Sequence, residues 1–327
     1  MNNKLHQEAV KRAIAPKFKG KEEIAANTIP LYPKTAEREL KRVYRCYLLI
    51  LNREVKAHLP EIMALCRKQR MDAARHDDIA DFRRELRKII QVIAQAIERA
   101  IGSYKLREKI EAIATMVKNT SVREWKRIVR STLGIDLLSD YYDGSFYSAA
   151  IQQWVADAVN KIQSIPAQEL GEMEAIIQQG YLNGKTIREI AGEIQKEYNV
   201  TKSKAVFLAR DQVGTLNAQI TKHQQEDAGV HKYKWSDSGD ERVRDCHHAL
   251  NGTIHSWDDP PAMWRANKHG IVYTGRNCHP GEDYACRCCA IPVFTFDTID
   301  LPMKGADEKK DDYDPVSIVF SGSDRKF

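Results

Sequence analysis

Residues 230–257, VHKYKWSDSGDERVRDCHHALNGTIHSW, read unlike anything before them. VHKYKW alternates polar and apolar side chains, the period of a strand with one buried face. SDSGDE is turn chemistry, and GTIHSW is a second short strand-like run. HGIVYT (269–274) and AIPVFTF (290–296) continue the pattern. Between these runs lie glycines, prolines, cysteines and histidines, so the core expected here is thin, of the kind commonly held by a metal.

Upstream the period is helical. After the breakers of IPLYPKT (29–35), Leu40, Val43, Tyr44, Tyr47, Leu48, Leu51 and Val55 recur at steps of three and four. A second stripe, Phe82, Leu86, Ile89, Ile93, Ile97 and Ile101, predicts a helix over 78–101. SVRE (121–124) and TIRE (186–189) fit the capping box, in which hydroxyl and carboxylate reciprocally satisfy free N–H groups at a helix start. A further helix is expected over 202–228, stopping at Gly229. Pro166 is read as a helix end or start, and no strand is expected before residue 229.

The fold class expected is mainly α, with an elongated helical N-terminal region and a small α+β Cys/His-rich domain near the C-terminus. Four segments follow: a basic helical region 1–165, a second helical segment 166–229, the small domain 230–296, and an acidic tail 297–327 expected to be extended or disordered.

The 327 residues are 43% hydrophobic and 29% charged, which argues against global disorder. No apolar window suits a signal peptide or a membrane span, so a cytosolic chain is expected. Charge is unevenly spread: residues 1–130 hold 30 Lys+Arg against 16 Asp+Glu, leaving 21 against 29 for the rest. A basic half suits double-stranded DNA or an acidic protein surface, and Arg83, Arg84, Arg87 and Lys88 are the expected DNA contacts.

Five of the seven cysteines and five of the ten histidines lie between Cys246 and Cys289. In a chain without an export signal this indicates a metal or reduced thiols rather than a disulfide framework. One tetrahedral zinc held by His247, His279, Cys286 and Cys288 is the favoured set, closed and therefore structural. Cys246, His248, Cys278 and Cys289 are adjacent alternates, and a metal-free domain with its thiols packed as small hydrophobes is the competing reading.

Other chemistries fit less well. GYLNGKT (180–186) places its glycines one residue too close for a phosphate loop and follows no strand. HPGED (279–283) and the C-x-C pair miss the H-x-E and P-C-x-x-C spacings of zinc deaminases. A metal-dependent nuclease using His247 or His248 as base is kept as an alternative, and a sequence-independent DNA-binding module as another.

Taken together, Trp235, the run Asp240-Glu241-Arg242-x-Arg244, R-x-x-H-x-x-L-[DN]-G over 244–252, HPGED, CRC (286–288) and Pro292 resemble the signature of the Mu F-like minor head proteins of phages. Leu250, Gly252, Pro280, Gly281, Asp283 and Arg287 belong to the same pattern. WVADAVNKIQSIP, GYLNGKTIREIAGEI and ARDQVGTLNAQ are similar to the helical half that precedes this signature, and Asn251 stands where Asp is usual. The resemblance implies a low-copy, portal-associated protein inside a tailed-phage head, present in the host cytoplasm during assembly, assisting head assembly, DNA packaging or delivery. It implies no catalytic residue and no membrane. Asp240, Arg242 and Arg244 are expected to brace the turn before His247, with Gly252 and Gly281 supplying backbone turns.

Overall fold

The structure, a computed structural model, describes residues 3–72, 78–102, 104–138 and 140–304. Helices dominate, in the order α1 (Asn3–Phe18), α2 (Lys34–Asp72), α3 (Asp78–Gly102), α4 (Leu106–Leu133), α5 (Ser145–Leu182), α6 (Ile187–Asp227) and the short α7 (Asp245–Leu250). Strands are β1 (Glu23–Ala25), β2 (Lys232–Ser236), β3 (Ile254–Ser256), β4 (Ala262–Asn267), β5 (Gly270–Asn277) and β6 (Cys289–Thr295). A mainly α chain with a small α+β unit near its C-terminus is what the sequence pattern implied.

The long helices α2 to α6 bury their apolar stripes against one another in one core. It includes Leu40, Tyr44, Leu48, Phe82, Leu86 and Ile93 from the two stripes read in the sequence. Each such side chain contributes roughly 1.5–3 kcal/mol on removal from water. Polar links fix the helix register. Tyr44 Oη donates to Gln212 Oε1 at 2.9 Å, and Trp154 Nε1 donates to the Gln212 carbonyl at 2.9 Å.

TIRE caps a helix as read: Thr186 Oγ1 accepts from Glu189 N while the Glu189 carboxylate accepts from Thr186 N at 2.6 Å. From there α6 runs unbroken to Asp227, merging two expected helices. SVRE caps nothing. Ser121 lies inside α4, where its hydroxyl donates to Gln224 Oε1 of α6 at 3.0 Å, and the buried Glu124 pairs with Arg127 at 2.5 Å. The three-residue spacing of a capping box is also the spacing of one helix face.

Pro166 does not separate helices. It lies within α5, buried on the same face as Ile162 and Leu170, so the boundary drawn at 165 falls inside one helix. The packing of that face outweighs the lost helix hydrogen bond, a cost of about 3 kcal/mol. The acidic tail also begins inside the fold. Ile299 and Leu301 are buried in the main core, and Met303 bridges to Leu137. The expectation for residues 305–327 falls outside the described residues.

The four-stranded antiparallel sheet has the order β1-β6-β2-β3, so a strand from the first thirty residues completes a sheet otherwise made from the last hundred. β1 corrects the expectation of no strand before residue 229. Pro292 sits in the central β6, where its carbonyl accepts from Ala26 N at 3.0 Å. The N and O of one strand residue face the same edge, so Ala26 and Pro292 continue the register as a hydrogen-bonded pair in which proline only accepts, and the reciprocal bond is forfeited where the β1–β6 ladder ends. β6 separates two cores: Ile291 and Phe294 join the helical one, Ala290 the smaller. β4 and β5 form a separate two-stranded ribbon.

Candidate metal centre

The smaller core gathers Tyr233, Trp235, Cys246, Trp257, Cys286 and Cys288. One turn of α7 is enough to turn Cys246 and His247 inward and leave His248 exposed. His247 Nδ1 stands 3.6 Å from Cys286 Sγ and 3.5 Å from Cys288 Sγ. One donor atom from each of these three buried residues lies within 4.8 Å of the others. A tetrahedral ion with metal–nitrogen and metal–sulfur bonds of about 2.1 and 2.3 Å has ligand-to-ligand edges of about 3.6 Å, so the two nitrogen–sulfur distances fit such an ion.

The opposite ring atom is held as metal-bound histidines usually are. His247 Nε2 is 3.1 Å from Asp283 Oδ2. Asp283 is itself only 3% exposed and is clasped by Arg244 at 3.0 Å and by Arg276. Arg244 also donates to the Tyr284 carbonyl at 2.6 Å, and Arg276 stacks on the Tyr284 ring at 4.1 Å.

Charge follows geometry. Burial opposes ionisation of His247, but hydrogen bonds to Asp283 and Cys286 outweigh it and lift its pKa to about 9. Burial likewise opposes the Asp283 carboxylate, and the His247 bond with the Arg244 charge holds it well below the usual range. The hydrogen bond from Cys288 lowers the Cys286 thiol, despite burial, and raises that of Cys288. One thiolate, one thiol and one imidazolium carry zero net charge. A divalent cation displacing the Nδ1 and Cys288 protons would leave two thiolates and a neutral ring, again with zero net charge.

The loop bearing the thiols docks on α6 through small groups. Gly281 turns with φ +89 against Ala218, Ala285 N donates to Asp211 Oδ1 at 2.8 Å, and a Cβ at Gly214 would lie 2.7 Å from the Cys286 carbonyl oxygen. Gly214→Ala, normally a helix-stabilising change, is therefore expected to destabilise the protein by about 1–3 kcal/mol in urea titration, because backbone must move to admit the methyl.

The other expected ligands lie elsewhere. His279 Nδ1 is 2.9 Å from Tyr233 Oη, and its ring packs 4.8 Å from Trp257. His248 Nδ1 is 3.0 Å from Asp237. Cys289 Sγ points to the Arg287 carbonyl at 3.7 Å. Cys246 and Cys278 are buried, and burial pushes the Cys278 thiol up to about 11. Among the described residues, none of these five shares the three-residue group.

Most of the signature pattern serves as scaffold. Trp235 is fully buried with its ring 5.5 Å from His247, Leu250 packs on the small core, Gly252 turns with φ +82, and Pro280 is buried. The brace before His247 differs from the expected one. Asp240 pairs with Arg287, Arg244 with Asp283, and Arg242 enters through its backbone N–H to Asp240, its side chain exposed. Sequence reasoning missed Asp211, Arg276 and Tyr284, whose roles depend on tertiary contacts that no local spacing signals.

The α3 cations chosen for DNA are largely engaged. Arg84 pairs with Asp81, Lys88 with Glu85 and Arg87 with Glu174 of α5, while Arg83 is exposed. No helix among the described residues is long and apolar enough to cross a membrane.

An uncharacterized protein of Haemophilus influenzae (strain Rd) is 32% identical over 166 residues, covering 51% of this chain and 34% of its own length. An Enterococcus faecalis protein named NAD(+)-arginine ADP-ribosyltransferase EFV is 23% identical over 283 residues, 84% of this chain and 54% of its own. The chain thus spans about a third and about half of these two curated relatives. No solved structure matches. The model of the family described as Phage Mu protein F like protein matches residues 172–291, from the second half of α5 through the Cys/His loop into β6, and over that segment the chain is similar to Mu F-like proteins.

Proposed function

We propose that this is a non-enzymatic minor head protein of a tailed phage or prophage, bound near the portal inside the capsid and in the host cytoplasm while heads assemble. In this reading one zinc ion, held by His247, Cys286 and Cys288, is structural. The observation that carries the reading is the seclusion of the chemistry-bearing groups within the Mu F-like segment: His247, Cys286 and Cys288 are 2, 3 and 6% exposed. A nuclease base must reach within hydrogen-bonding distance of a water that attacks phosphate, which His247 in its burial does not, and the exposed His248 is turned to Asp237 at 3.0 Å, away from the thiol pair. Small domains with so little apolar core are commonly completed by such a metal.

The transferase activity in the name of the Enterococcus protein stays with that protein, of which this chain spans 54%. Co-expression with the portal and scaffold genes of its neighbourhood tests the assignment. The chain is expected to sediment with procapsids at a few copies per particle. Its absence from particles, with the soluble chain well folded, overturns the reading.

A further inference from the structure

The hairpin β4–β5 has no role in the metal centre beyond Arg276. Met263 is buried and Trp264 packs on the small core, which anchors its base. Beyond them every residue from Arg265 to Tyr273 is exposed. Paired Asn267 and Gly270 leave a two-residue tip, Lys268-His269, closed by Asn267 Oδ1 accepting from His269 N at 2.8 Å.

The composition of this arm departs from its surroundings. Residues 262–277 contain Arg265, Lys268, His269 and Arg276 and no carboxylate, inside a half of the chain whose acids outnumber its bases. Among the described residues no ion pair or hydrogen bond engages the Arg265 or Lys268 side chain. The cations of the basic half are matched more often. On α3, Arg84, Arg87 and Lys88 each have an acid, and on α4 Arg127 pairs with Glu124 and Arg130 with Asp136. Beside the free charges, Ile271, Val272 and Tyr273 are 59, 52 and 67% exposed.

We infer that the β4–β5 ribbon is a docking element for double-helical nucleic acid, with Arg265 and Lys268 on phosphates and Tyr273 and Ile271 against the groove wall. Charge complementarity commits the arm to a polyanion. Its shape selects a duplex: two strands about 4.8 Å apart enter a major groove about 12 Å wide. Trp264 pairs with Tyr273 and Ala266 with Ile271, placing these apolar groups on one face of the ribbon, and Arg265 pairs with Val272 on the other. The contact moves from α3, where charge counting put it, to the far end of the chain. It stands independently of the head-protein reading, since it concerns the purified chain and a duplex alone.

The test is fluorescence anisotropy of the full-length chain with a short mixed-sequence DNA duplex, titrated between about 50 and 200 mM salt. Arg265→Ala with Lys268→Ala should weaken binding at least roughly tenfold and flatten the slope of log affinity against log salt by about two, the release expected from two phosphates. Replacing Arg83, Arg84, Arg87 and Lys88 with alanine should weaken it less than threefold. Wild-type binding in the ribbon variant, no duplex binding by the wild type at low salt, or tighter binding to the corresponding single strand each overturns the inference. Capture of an acidic protein in place of the duplex does so as well. Unchanged thermal melting of the ribbon variant, whose substituted side chains are exposed, separates lost contact from lost fold.

Discussion

Protein purified without chelator is expected to carry about one zinc per chain, and Cys286→Ser with Cys288→Ser to carry background levels only. The energetic effect should be the largest of any change in the molecule. A structural zinc site contributes on the order of 10 kcal/mol or more to the folding of the unit that holds it, comparable with the entire stability of an ordinary domain. The small core offers little to replace it, because two of its members are the thiols themselves. The helical core excludes Cys286 and Cys288, so far-UV circular dichroism of the double variant should keep most of its helix signal. Near-UV signal from Trp235 and Trp257, both packed in the small core, should collapse. Stoichiometric zinc in the double variant, or well-folded wild type with less than about a tenth of an ion, rules out the site.

Asp283→Ala should have the second largest effect. The carboxylate is 3% exposed and orients three partners, His247, Arg244 and Arg276. Breaking a buried charge cluster by removing one partner costs about 3–5 kcal/mol. The two arginines are 39 and 33% exposed, so water takes over part of their solvation and the loss belongs near the lower figure, about 3 kcal/mol. Asp283→Asn isolates the metal contribution: it keeps the shape, loses the charge, and by loosening the His247 ring should weaken zinc binding by roughly 10- to 100-fold in a chelator competition. Unaltered affinity in the asparagine variant would mean that Asp283 does not orient the ligand.

How much of this was legible in the residues follows from the range of each interaction. Local periodicity carried the long helices, since the Leu40 and Phe82 stripes are buried where their spacing puts them. The strands β2, β3, β5 and β6 were legible from alternation and flanking turns. β1 was not: three residues have no period, and only the partner strand makes them extended. Pro166 and Ser121 misled for a common reason, since each has a local preference for helix ends that tertiary packing on α5 and α4 overrides. Ile299 and Leu301 were lost among the surrounding acids because two apolar residues make no pattern, yet both fill the core. At the candidate metal centre the sequence supplied the right chemical types between Cys246 and Cys289, with His247 39 positions from Cys286. Which donors converge depends on how α7 and the 278–288 loop meet on α6. That convergence chose His247 over His279.

The pairing of β1 with β6 sets an order of events in the life of the chain. Glu23 and Thr295, hydrogen-bonded partners in the sheet, are 272 positions apart. On the ribosome β1 emerges before β6 and waits for some 272 further residues, made at roughly 5–20 per second. Until residue 295 emerges, β1 and β2 each lack their β6 neighbour and both thiols are still absent or newly made. β6 therefore closes the sheet, seals the two cores and follows directly on the candidate metal ligands Cys286 and Cys288 in a single step. A ribosome that stops short of β6 leaves an open strand edge rather than a shorter version of the same molecule.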